Sequence, residues 1–142
     1  MPADRSDIGY LLALAGRRWN QILEQRFAEA GYGEVRASYG ALLIPLFEED
    51  GMRMGELAAR ARLSKQTVTT MARLLERDGL LARRPDPEDA RATRLFLTAR
   101  ARSFEPVVES VLGELHRRVA RTLGEEPAAE LRAALGALVD LP

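Results

Sequence analysis

The residues most suited to chemistry lie between Ser64 and Arg77, where Gln66, Thr69, Thr70, Arg73 and Arg77 recur at three- and four-residue steps, with Ser64 and Lys65 at their head. That spacing puts them on one side of a helix, and Val68, Met71, Leu74 and Leu75 form the apolar side that must pack on a core. Glutamine can pair bidentately with adenine, arginine with guanine, and a threonine methyl can touch the methyl of thymine. Solvated helix faces are also polar, but glutamate and lysine usually dominate them, and no acid stands among these five residues.

Several elements must hold that face in place. Ser64 is a natural N-cap for a helix over 65–78, and Gly79 its natural stop. A short helix over 56–61 precedes it across the turn Arg62–Leu63–Ser64, giving a helix-turn-helix. Residues 80–84 and 93–98 read as strands around the turn-forming Pro85–Asp86–Pro87–Glu88–Asp89, so a β-hairpin follows directly. A helix-turn-helix followed by a hairpin is a winged helix, whose second helix enters a major groove while the hairpin reaches the neighbouring minor groove.

Around this centre, apolar residues from Ile8 to Ala30 mark a long amphipathic helix with Asp7 as N-cap, closed by Gly31–Tyr32–Gly33. A helix over 35–49 contains Pro45, which must kink or shorten it, and Asp50–Gly51 makes a turn. From Ala99 a long helix carries Val107, Val108, Val111, Leu112, Leu115, Val119 and Leu123 on one stripe, with Pro106 predicting a bend. A last helix starts near Pro127 with Leu131, Leu135, Leu138 and Val139 on one face.

Composition narrows the function. The 142 residues hold no cysteine and one histidine, His116, which excludes disulfides, thiolate metal sites and histidine-cluster metal sites. There is no histidine–carboxylate pairing, glycine-rich phosphate loop or metal-ligand spacing, so an enzyme is not expected, nor any cofactor. No apolar run is long enough to span a bilayer and the N-terminal MPADRSDIG lacks a secretory core, so a cytoplasmic protein without a membrane partner is expected. The net charge is zero but unevenly placed: residues 53–94 hold ten Lys and Arg against six Asp and Glu, a basic middle between acidic ends.

The middle of the chain resembles the MarR family of bacterial regulators. The resemblance rests on Gly55–Glu56–Leu57–Ala58, on LSKQTVTTMARLLERDGL from Leu63 to Leu80, and on the hairpin, where Asp89, Arg91, Leu95 and Thr98 meet the family pattern of Asp, any, Arg, three of any, Leu, two of any, Thr. Arg84–Pro85–Asp86–Pro87 also fits. Two positions depart from the pattern: Ala90 stands where many members carry a second arginine, and Arg62 where glycine is common.

The resemblance implies a fold that is mainly α with a small β-hairpin wing: a winged helix-turn-helix flanked by N- and C-terminal dimerisation helices. It covers residues 1–142 as a single MarR-like domain, with dimerisation helices over about 8–34 and 99–142 and the DNA-binding lobe over about 35–98. It implies a ligand-responsive repressor acting as a homodimer on a pseudo-palindromic stretch of double-stranded DNA. The residues it assigns to DNA are Ser64, Lys65, Gln66, Thr67, Thr69, Thr70 and Arg73 in the major groove, with Arg84, Asp89 and Arg91 in the wing, Asp89 holding Arg91 for the minor groove.

Each assignment has a plainer counterpart. Asp89 and Arg91 alone could be a solvated ion pair worth under about 1 kcal/mol. The terminal apolar stripes could be intrachain core, although a centre of this size cannot cover three of them and a partner chain can. Family members commonly bind phenolic or other aromatic effectors, for which Trp19, Tyr39 and His116 are the candidates; Trp19 also suits plain core, and His116 an exposed or capping position. A winged-helix protein-interaction or dimerisation module without operator binding is the alternative function, but apolar residues would be expected where Thr69, Thr70 and Arg73 stand.

Overall fold

The computed structural model describes residues 4–142. Helix α1 (Ile8–Glu29) starts where Asp7 accepts a hydrogen bond from the Tyr10 backbone N–H at 3.0 Å, and Gly31, at φ 91°, turns the chain after it. The expected helix over 35–49 is shorter: a 3-10 turn (Ala37–Tyr39) leads into α2 (Gly40–Glu48). Pro45 sits inside α2 without ending it, while the tighter turn takes up the residues before Gly40. Gly51, at φ 75°, makes the turn into β1 (Met52–Arg53), a strand of two residues that sequence periodicity is too short to reveal.

Then follow α3 (Met54–Ala61), α4 (Lys65–Arg77), β2 (Leu81–Pro85), β3 (Thr93–Leu97), α5 (Ala99–Leu123) and α6 (Glu125–Val139). The sheet is antiparallel in the order β1-β3-β2, with Met52 opposite Leu95 and Leu81 opposite Leu97. The expected helix-turn-helix and hairpin are therefore present, with β1 added to the hairpin. Helix α5 runs through Pro106 without interruption, and α6 begins at Glu125, two residues earlier than expected, because Gly124 at φ 96° makes the turn.

The chain divides into two compact units, one ending at Val107 and the other running from Val108 to Pro142. In the first, Leu42, Leu46, Leu57, Val68, Leu75, Leu80 and Leu95 are fully buried, so α2, α3, α4 and the sheet share one core. Phe104 is buried with them and meets Phe27 edge-on, ring centroids 4.8 Å apart. The first half of α1 instead exposes Ile8, Tyr10, Leu11, Leu12 and Leu14. In the second unit Val108, Val111 and Leu115 are buried, whereas α6 buries nothing and leaves Leu131, Leu135, Leu138 and Val139 open. No helix among the described residues is long and apolar enough to cross a membrane.

Candidate nucleic-acid interface

Helix α4 is set by its two ends. Ser64 Oγ accepts the Thr67 backbone N–H at 3.1 Å and donates to Thr67 Oγ1 at 2.8 Å, so the cap and the first-turn threonine form one hydroxyl pair. At the other end Gly79 takes φ 76°, and the Leu80 N–H returns to the Leu75 carbonyl at 2.8 Å. The turn before α4 is more strained. Arg62 is the one non-glycine residue at positive φ among the described residues, at 56°, and the Leu63 N–H closes α3 on the Ala58 carbonyl at 3.0 Å. This is the turn position where the sequence departs from glycine.

The buried stripe of α4 is Val68, Ala72 and Leu75, which corrects the expected apolar side. Met71 is only half-buried, and Leu74 is 37% exposed, because the helix rolls its core contact toward the small Ala72. Gln66, Thr67, Thr70 and Arg73 are exposed and Thr69 is half-buried. The hydroxyls of Thr69 and Thr70 donate back to the carbonyls of Lys65 and Gln66, at 2.8 and 3.1 Å. Their protons are thereby used within the helix, and methyls and oxygen lone pairs are left for a partner. Arg77 is held by Asp78, with Nε 3.2 Å from Oδ1, whereas the ends of Lys65, Gln66 and Arg73 carry no hydrogen bond or ion pair among the described residues.

Asp78 joins α4 to the 3-10 turn, since the Tyr39 hydroxyl donates to Asp78 Oδ2 at 2.5 Å. The hydrogen bonds from Arg77 and Tyr39 hold the Asp78 carboxyl below its ordinary range, while burial and the Asp78 carboxylate push the Tyr39 phenol up. Tyr39 is thus buried and committed to the end of α4. Trp19 is half-buried on α1, and His116 is exposed on the part of α5 that belongs to the second unit.

The hairpin is organised by Asp86, which sequence alone marks as no more than a turn residue. The Asp86 side chain is fully buried; it accepts the Glu88 backbone N–H at 2.8 Å and the Arg53 Nε at 2.5 Å, and Arg94 Nε lies 3.2 Å away. The Glu88 N–H and then the two guanidinium groups hold its carboxyl below the ordinary range against the opposing effect of burial. Arg53 immediately precedes α3, so this carboxylate ties the wing to the helix-turn-helix. Arg94 Nη1 adds a bond to the Gly51 carbonyl at 3.2 Å.

At the wing tip Asp89 Oδ1 accepts the Arg91 backbone N–H at 3.0 Å, and its own carbonyl accepts the Ala92 N–H at 2.9 Å. The Arg91 side chain is 96% exposed, with Nε 3.7 Å from Asp89, a loose ion pair. Asp89 therefore shapes the turn that presents Arg91. Arg84 is placed otherwise: its guanidinium lies 5.5 Å from the centre of the Phe96 ring, and its neighbour Arg83 reaches Glu76 on α4. Period-two alternation from the inward Leu81 is the signal that could have singled out Arg83.

The segment 39–93, from the 3-10 turn through the wing, matches the MarR family. The chain is 33% identical over 96 residues to the HTH-type transcriptional repressor YetL of Bacillus subtilis (strain 168), covering 63% of this chain and 56% of that protein. The chain spans about half the length of the curated relatives it matches. Among solved structures, this chain superposes on the S. aureus MepR–DNA complex with a TM-score of 0.79 at 22% identity, covering 94% of this chain and 96% of that one. It superposes on CouR from Rhodococcus jostii RHA1, bound to p-coumaroyl-CoA, with a TM-score of 0.74 at 21% identity, over 100% and 98% of the two chains. At these identities the structural likeness establishes the fold: a mainly helical winged helix-turn-helix with a small antiparallel sheet.

Proposed function

We propose that this protein is a sequence-specific DNA-binding transcriptional regulator that acts as a homodimer. The observation that carries the reading is the pairing of two elements on one lobe: an α4 face of Gln66, Thr70 and Arg73 turned to solvent, and a wing tip that presents Arg91 almost fully exposed. A helix face of those residue types reads base edges, and a lone exposed arginine on a hairpin suits the narrower minor groove. Ser64, Lys65, Thr67 and Thr69 accompany the helix as cap and flank, and Asp89 and Arg84 support the wing.

The homodimer rests on exposed apolar surface. Ile8, Leu11 and Leu12 on α1, and Leu131, Leu135 and Leu138 on α6, are large apolar groups that a soluble monomer seldom leaves open in stripes. A two-fold dimer of winged helices recognises a pseudo-palindrome with half-sites about 10 base pairs apart. YetL is a repressor and CouR holds p-coumaroyl-CoA, and the same roles, repression relieved by a phenolic or other aromatic effector, are proposed here. Trp19 in the first unit and His116 in the second are proposed, each by itself, as effector candidates, and Tyr39, buried and bonded to Asp78 at the end of α4, is proposed to act through that bond.

A gel-shift titration against the DNA flanking the protein's own gene, at two salt concentrations with excess competitor, tests the reading. A discrete, competitor-resistant and salt-sensitive complex supports an operator-binding regulator. Absence of any complex, with a protein that is dimeric by light scattering, favours the interaction module instead.

A further inference from the structure

Between the start of α3, the start of α4 and the wing lies a cleft of about 450 Å3, lined by Arg53, Glu56, Lys65, Thr69, Arg83 and Arg91. We infer that this cleft seats a phosphodiester of the DNA strand that runs between the two grooves, and that Arg53, Lys65 and Arg83 are its ligands. The inference rests on the DNA-binding reading above. An element in a major groove and another in the adjacent minor groove straddle one sugar-phosphate strand, and the cleft is the space between those two elements. Its volume falls in the range that holds whole small molecules, ample for one phosphodiester.

The cations are placed before any ligand arrives. Arg53 is anchored through Nε to the buried Asp86, and Arg83 through Nε to Glu76, so each guanidinium is fixed at Nε while its η nitrogens make no hydrogen bond among the described residues. Lys65 stands at the first residue of α4 with its ammonium unengaged among the described residues. A guanidinium held in this way loses little freedom when it meets a phosphate oxygen. Glu56 is the opposing feature. It lines the same cleft, where its negative charge opposes a phosphate and limits affinity.

The test is the salt dependence of binding to a random-sequence duplex of about 24 base pairs, because a backbone contact needs no operator. Circular dichroism confirms that each variant is folded. Lys65→Gln and Arg83→Gln are each expected to reduce the slope of log K against log salt by about one, as when one phosphate fewer is neutralised. Glu56→Gln is expected to raise affinity several-fold at low salt. Lys65 makes no hydrogen bond or ion pair through its ammonium that the substitution would disturb, so its result stands even where Arg83→Gln loosens Glu76. If the Lys65 and Arg83 variants keep the parent slope while Arg91→Ala weakens binding, the phosphate seat is overturned and the DNA-binding reading stands. If the parent itself binds no duplex, both fall.

Discussion

Helix α4 and the wing present their exposed residues in different ways. The exposed face of helix α4 is organised by neighbours in sequence: Ser64 caps Thr67, Thr69 and Thr70 bond back one turn, and Gly79 stops the chain. The wing depends on partners far along the chain, above all Asp86 with Arg53, 33 residues before it. A face built from local bonds survives changes elsewhere as long as its buried stripe is intact. A hairpin held through one buried carboxylate loses its position when that group is changed, even if the strands remain.

The largest expected effect separates the true core side of α4 from the apparent one. Leu75 is fully buried and Leu74 is not, so Leu75→Ala is expected to destabilise the protein by about 2–5 kcal/mol, and Leu74→Ala by only about 1 kcal/mol, in urea unfolding. Similar losses for both would break the assignment of Val68, Ala72 and Leu75 as the packed stripe.

Next in size is the wing anchor. Asp86→Asn removes the charge that Arg53 and Arg94 face, and the expected result is faster amide exchange in β2, β3 and the turn between them, with α4 protection unchanged. The same residue shapes the acid limb. Asp86 and Asp78 have carboxyls depressed below the ordinary 3.8, and Glu34, bonded by Arg100, below 4.5. Groups depressed in the folded state give their full stabilisation above the ordinary carboxylate range and lose it as pH falls through their lowered values. Stability should therefore be flat from about pH 7 to 5 and fall below about pH 4. Asp86→Asn should make that fall shallower, as followed by thermal unfolding at stepped pH.

The smallest effects test the local rules of the helix-turn-helix. Ser64→Ala is expected to cost about 1 kcal/mol through loss of the cap, measured by urea unfolding. Arg62→Gly should stabilise by up to about 1 kcal/mol in the same measurement, since glycine meets φ 56° without strain. A destabilised Arg62→Gly would mean that the Arg62 side chain contributes more than its backbone costs.

The same contrast between local and distant partners governs what sequence can foretell. The caps, the helix-turn-helix and the hairpin are legible because Ser64, Gly79 and the alternation of 80–84 and 93–98 act over a few residues. Strand β1 is not, because two residues carry no period, and its identity comes from pairing with Leu95 and Arg94. Asp86 reads as one turn residue among several, since its partners Arg53 and Arg94 lie in other elements. Leu74 and Leu75 both border the apolar side of the helix, about 100° apart, and it is Leu75 that shares the buried stripe of Val68 and Ala72. The family pattern points to Arg84, whereas strand alternation points to Arg83, the one that reaches α4.

The most direct test of base reading by α4 and groove contact by the wing compares parent, Arg73→Ala and Arg91→Ala on an operator selected from random DNA by the parent protein, with every base position varied. Arg73→Ala is expected to lose about 1–3 kcal/mol of discrimination at one position per half-site. Arg91→Ala is expected to weaken binding across sequences with a smaller salt dependence. Binding by both variants indistinguishable from the parent would contradict both assignments.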